Sequence, residues 1–220
     1  MKRIFLTFAL IIPMLITAQT GKTDTIPKKE NSFQFGIKAN AGISFITYHF
    51  DPVFFSNISY SNIPQLAFNV GVYSNYLINN KSSFGIEVLF MQMNGLIDIT
   101  IEDLYYHFYY LSIPLEYFYK ISNLKLCFGI QTSLMLSNRE DGFGLFLDNG
   151  ATFTYDNESK NLNFIKYDIG PKLGLFYDVT NRLFLDMDFY YGLNNHFINP
   201  IGNSSLKNQQ ITFGIGYKLY

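Results

Sequence analysis

The segment 209–220 reads QQITFGIGYKLY and alternates without a break. Ile211, Phe213, Ile215, Tyr217 and Leu219 fall on one face, and Gln210, Thr212, Gly214, Gly216 and Lys218 on the other. A period of two specifies a β-strand with one apolar face. The polar face is too glycine-rich and too narrow to be an ordinary solvated surface. Such a strand suits a closed barrel with lipid outside and polar groups inside. In hydrocarbon every backbone N–H and C=O must find its partner within the structure, and a closed barrel achieves this with strands alone.

Seven upstream segments repeat the pattern: 33–48, 65–77, 83–93, 107–120, 124–136, 164–178 and 182–192. Their apolar faces carry runs such as Leu66, Phe68, Val70 and Val72, or Phe84, Ile86, Val88 and Phe90. The connectors 78–81, 121–123 and 179–181 are tight, each with an Asn suited to a turn. Between them lie long connectors at 50–64, 94–106, 137–163 and 194–206. Long and short alternate, as in outer-membrane barrels with short periplasmic turns and long external loops. The fold expected is all-β: an eight-stranded, antiparallel, up-and-down transmembrane barrel over 32–220, with segment 209–220 closing onto 33–48. A soluble up-and-down barrel has the opposite polarity, with apolar groups inside. Here Lys38, Glu87, Glu116, Lys172, Asp186, Asp188 and Lys218 share the glycine-bearing face, while the other face is nearly free of charge.

Composition agrees. Aromatic residues make up 18% of the chain and charged residues 15%, with 23 Phe, 17 Tyr and no Trp, a balance that favours strands. After residue 20 no apolar run reaches the roughly 18 residues of a spanning helix, whereas a spanning strand needs only about 9–11, half of them apolar. Residues 1–19 read as a secretory signal peptide. Lys2 and Arg3 form a basic start, Ile4 to Ile16 an apolar core, and Thr17-Ala18-Gln19 a cleavage region. Residues 20–31 are polar and read as a flexible periplasmic lead-in. Export to the outer membrane follows as the expected localisation. No Cys lies beside the cleavage region, so no lipid attachment is expected there. Without Lys2 and Arg3, 14 basic residues face 17 acidic ones, which is no electrostatic footprint for nucleic acid. The single Cys127 excludes an internal disulfide.

An eight-stranded barrel is just wide enough for its side chains to fill, so the inward acids and bases are expected to pair with one another. A narrow ion or proton path along them is the alternative. His49, His107 and His196 each sit where a strand meets a long connector. As motif-free histidines they are expected to join the aromatic girdle at the external rim. The competing reading is a rim enzyme with His49 beside Asp51, or His107 beside Glu102 and Asp103. Glu140, Asp141, Asp148, Asp156 and Glu158 are too sparse for a calcium loop, so neither a metal nor a cofactor is expected. Asp148-Asn149-Gly150 is a hairpin signal that would carry strands five and six beyond the membrane. Tyr220 is out of phase with Leu219. Either it lies past the last pairing, or a bulge shifts the register near the end.

Segment four contains Tyr110-Leu111-Ser112-Ile113-Pro114-Leu115. Proline within a barrel strand removes a ladder donor. This Tyr-Leu-x-Ile-Pro-Leu stretch resembles the hallmark of the PorT-like outer-membrane β-barrel family of Bacteroidetes. Gly170-Pro171-Lys172-Leu173-Gly174, Tyr190-Tyr191-Gly192-Leu193 and Gly214-Ile215-Gly216-Tyr217-Lys218 are similar to its later strands. Asp24-Thr25-Ile26 resembles an O-glycosylation signal of exported proteins from the same group. The resemblance implies an eight-stranded barrel of the OmpA/OmpX type without catalytic residues. The expected role is structural or interactive, through external loops. The expected partners are outer-membrane lipid, the barrel-insertion machinery, and an extracellular or secretion-system protein. A secretion-associated barrel is the second role.

Overall fold

The computed structural model describes residues 33–49, 51, 53, 59–99, 102–142, 164–198 and 202–219. The expected signal peptide, the lead-in, the Asp24-Thr25-Ile26 match, the Asp148-Asn149-Gly150 hairpin and Tyr220 lie outside these residues. Eight strands follow one another: β1 (Phe33–His49), β2 (Tyr60–Leu77), β3 (Ser82–Ile99), β4 (Glu102–Ile121), β5 (Leu124–Gly142), β6 (Tyr167–Asp178), β7 (Leu183–Tyr191) and β8 (Ser205–Lys218). Each pairs antiparallel with the next, and β8 returns to β1, so the sheet is a closed barrel. Closure leaves no unpaired edge around the common girth of the wall.

Parity sorts the side chains. Leu66, Phe68, Val70 and Val72 of β2 are exposed on the outer wall, as are Phe84, Ile86 and Phe90 of β3 and Phe213 and Ile215 of β8. Alternate residues turn inward, including Lys38, Glu87, Glu116, Lys172, Asp186 and Asp188, all buried. An outer wall so apolar over most of its girth is stable only against hydrocarbon. The β1–β8 register runs from Gly36↔Lys218 to His49↔Ser205 without a shift. Between Ser205 and Lys218 the closing strand therefore has no bulge towards β1.

Several strands are longer than the alternation implied. The connector expected at 94–106 is not a loop. β3 runs to Ile99, β4 starts at Glu102, and the two pair up to Ile99↔Glu102. Likewise β5 continues to Gly142, where it pairs with Leu104, and β2 begins at Tyr60, opposite Ile99. The strands therefore form a ribbon that rises past β6, whose pairing with β5 stops at Leu134↔Tyr167. From there β5 carries on for ~25 Å at about 3.3 Å per residue. Phe164, expected to open the sixth strand, makes only an isolated bridge to Phe197.

Polarity reverses along this ribbon, so its strands carry no lipid-facing signature in the sequence. Ile97, Leu104 and Tyr106 are buried on its inner side. Asp98, His107, Arg139 and Asp141 stand on its outer side. That is the arrangement of a sheet in water. Register shifts fall at Pro64/Phe68 in β2 and, opposite Tyr109/Tyr110, at Leu136 in β5. Both lie where the ribbon leaves the barrel, and bulges bend and twist a strand at such places.

The tight turns use other side chains than the asparagines alone. Asn79 Oδ1 accepts the N–H groups of Lys81 and Ser82 at 2.8 and 2.9 Å. In the last turn Thr180 Oγ1, not Asn181, accepts the N–H groups of Arg182 and Leu183 at 3.2 and 2.9 Å. In the middle turn Ser122 takes the left-handed conformation, with φ 58°.

Candidate functional site in the barrel interior

The interior has three tiers, and the first is ionic. Lys38 on β1 and Lys172 on β6 project into the bore from opposite sides of the barrel. Lys38 Nζ lies 3.1 Å from Glu87 Oε1 and 2.8 Å from both Asp186 Oδ2 and Asp188 Oδ2. Lys172 Nζ lies 2.7 Å from Glu87 Oε2, 2.7 Å from Glu116 Oε1 and 3.3 Å from Asp188 Oδ2. Glu87 and Asp188 thus bridge the two ammonium groups and tie four walls together across the bore. Asn40 Nδ2 donates to Asp186 Oδ2 at 2.6 Å, and the Cys127 thiol donates to Glu116 Oε1 at 3.3 Å. In a low dielectric such charges persist only when paired, and the side chains here are at most 6% exposed. Glycines make room for them: a Cβ on Gly214 would strike the Asn40 amide.

Six of the seven charges expected to face inward meet in this cluster. Lys218 does not. It lies at the turn end, where its Nζ is 2.7 Å from Asp178 Oδ1, and Lys125 Nζ is 3.1 Å from the second oxygen of the same carboxylate. This second group was not expected from the sequence, although Asp178 and Lys125 share the inward parity of their strands. Between the two groups, Phe118, Phe176 and Phe184 pack with Tyr73 and Cys127. Phe176 also faces Lys38, whose Nζ is 5.0 Å from the ring centre.

The third tier, towards the long connectors, corrects the expectation of a polar and charged filling. It is an apolar and aromatic cluster that includes Leu89, Met91, Met93, Phe108, Tyr110 and Leu206, all nearly inaccessible. Where the sheet leaves lipid, its inner face must supply an ordinary core. Into this tier dips His196, which was expected at the external rim. It is fully buried and stacks on Phe108 with ring centres 5.9 Å apart. Its Nδ1 is 3.2 Å from the Ile165 carbonyl oxygen, its Nε2 2.8 Å from Asn208 Nδ2 and 3.5 Å from Asp168 Oδ2. Asn208 Nδ2 also donates to the Tyr110 hydroxyl at 2.6 Å. The group pins the residues after β7 into the barrel mouth. The parity of the sixth segment puts Asp168 on the inward face, but Asn208 precedes the closing segment expected from the sequence, and nothing local could bring in a connector histidine.

His49 is exposed at the end of β1. The neighbouring Asp51 accepts the backbone N–H groups of Asn203 at 2.7 Å and Val53 at 2.8 Å. These bonds, the Asn203 one first, hold its carboxyl below the ordinary carboxylate range. His107 lies on the outer side of β4, with Nδ1 3.0 Å from Asn94 Oδ1 and Nε2 3.5 Å from Asp141 Oδ2. Among the described residues no three His, Cys, Asp or Glu side chains group as a metal site.

Of the resembling stretch, Tyr110 and Pro114 point inward, and Leu111, Ile113 and Leu115 outward. Pro114 pairs with Gln131 on β5. Towards β3 the ladder lapses between Leu89↔Ser112 and Ile86↔Leu115, which is where the missing N–H would fall.

No curated protein matches this sequence. Among solved structures, the chain is similar to Ail, the attachment invasion locus protein of Yersinia pestis, at 13% identity over 84% of this chain and 98% of that one, with a TM-score of 0.46. It is similar to Neisserial surface protein A at 15% identity over 84% and 97%, with a TM-score of 0.41. A major outer membrane protein from Thermus thermophilus aligns at 13% identity over 86% and 100%, with a TM-score of 0.46. Residues 49–197, about two thirds of the chain, match the family model of the outer membrane protein beta-barrel domain. With a closed eight-stranded wall, an apolar exterior and a match over most of its strands, the chain belongs to the outer membrane protein β-barrel family.

Proposed function

We propose that the protein is a non-enzymatic outer-membrane barrel that acts through contacts made by its loop-side ribbon. One observation carries this reading: the polarity reversal along β3–β5, which raises a sheet with a buried apolar inner face beyond the lipid-facing wall. Such a ribbon presents a surface, while the bore beneath it is occupied by side chains. The external orientation of the ribbon and the export of the chain through residues 1–19 are part of the reading. They are supported by three short turns at the opposite end and by the composition of the N-terminal segment. No catalytic residue, cofactor or metal is assigned.

Tyr105, on the outer side of the ribbon and 40% exposed, is the place to test it. A photo-crosslinking amino acid there should capture a protein in intact cells, while the same group at Phe84, on the turn side, should capture lipid alone. Lipid alone at both positions contradicts an interaction role. The finer placement, among PorT-like barrels of Bacteroidetes, rests on the likeness of the Tyr110–Leu115 stretch alone, and a part in secretion is the second role kept open beside it. That role implies that loss of the gene impairs export of other proteins, and normal export would remove it.

A further inference from the structure

The turn end of the barrel carries a collar of cations. Lys81, in the first turn, accepts the Lys120 N–H on its carbonyl at 2.7 Å. Lys120 stands directly across the ladder from Lys125. Lys125 and Lys218 share Asp178, and the Lys218 N–H donates to the Arg182 carbonyl at 2.7 Å. The arc therefore reaches from the β2–β3 turn round to β8. Among the described residues at this end, Asp178 is its one acid. Lys81, Lys120 and Arg182 are exposed. At the opposite end the described ribbon carries both signs, with Asp98 and Asp141 accompanied by Arg139.

Two features tell what such a collar meets. Asp178 meets Lys125 and Lys218, and Lys120, directly across the ladder from Lys125, faces a like charge whose repulsion an external anion would relieve. The collar also lies at the very edge of the apolar wall. Ile121 follows Lys120, Leu219 follows Lys218, and Val179 belongs to the same turn as Arg182; all three are exposed. Arg182 Nη1 donates to the Tyr217 hydroxyl at 3.3 Å, and tyrosines at the border of an apolar belt sit at headgroup depth. We propose that the cation collar binds the phosphate groups of anionic phospholipids in the leaflet at the turn end, and so fixes the depth and direction of the barrel in the membrane.

The test uses the full chain in vesicles of phosphatidylcholine, with and without about one third phosphatidylglycerol, and compares folding constants from urea titration. The full chain has 16 basic and 17 acidic residues, so overall charge supplies no preference for anionic vesicles. The collar predicts a folding constant ~100-fold larger on the anionic vesicles at low salt. That ratio should fall by about fivefold for each of Lys81→Gln, Lys120→Gln and Arg182→Gln. An equal preference in the triple variant overturns the proposal, as does an equal gain when inorganic phosphate is added to phosphatidylcholine vesicles. If the triple variant does not fold, the wild-type chain decides alone. About 0.5 M salt should abolish the lipid preference, and a preference that survives it contradicts the collar.

Discussion

At the scale of residues, the interior is held by ion pairs whose members have no water to fall back on. Lys172 faces three carboxylates. Replacing it with Met leaves them buried around one remaining ammonium group, at a cost of about 3–5 kcal/mol. Urea unfolding in detergent micelles measures this, and a loss under about 1 kcal/mol would show that the cluster is wet. The face on which these charges lie follows from strand parity alone. Their pairing does not, because Lys38 meets Asp188 across 150 positions of sequence and only the register decides that contact. Asp51 gives a dependence on pH. Its carboxyl is held low in the folded chain by the Asn203 and Val53 N–H groups. Its contribution is therefore complete above the ordinary carboxylate range and is lost as the pH falls through the lowered folded value. Amide exchange of Asn203 and Val53 should speed up in that acid window, and Asp51→Asn should remove the dependence.

At the scale of elements, a period of two marks a strand but not the place where lipid gives way to water. The segments that face hydrocarbon stand out because their outer residues are uniformly apolar. The upper halves of β3, β4 and β5 follow the opposite rule, and Asn94, Gly95 and Asp98 there read as loop residues in isolation. What makes them strands is pairing with neighbours distant in sequence, such as Leu104↔Gly142. The connector after β7 is equally illegible, because His196 is fixed by Asp168, Asn208 and Phe108 rather than by anything beside it. His196→Ala should leave Asn208 without this partner and release the connector. Exchange of the amides at positions 196 and 165, bonded to the Leu206 and His196 carbonyls, should rise by at least ~10-fold while β8 remains protected. Unchanged exchange at both would mean that the backbone bonds alone hold the connector.

At the scale of the whole molecule, closure is the property on which the rest depends. Seven hairpin pairings and the β1–β8 return give every strand two neighbours, so the wall needs no water to satisfy its backbone and its apolar side can lie in lipid. The alternation of the closing segment made this legible, together with three short turns all at one end. The central claim is that the apolar face of each strand meets hydrocarbon and the alternate face does not. Spin labels placed one at a time along β2, in a Cys127→Ser background reconstituted in lipid, test it most directly. Labels at Leu66, Phe68, Val70 and Val72 should collide freely with oxygen dissolved in the bilayer, and labels at Ala67, Asn69 and Tyr73 should be shielded, giving a period of two. Accessibility without that alternation, or with the phase reversed, would contradict the barrel described above.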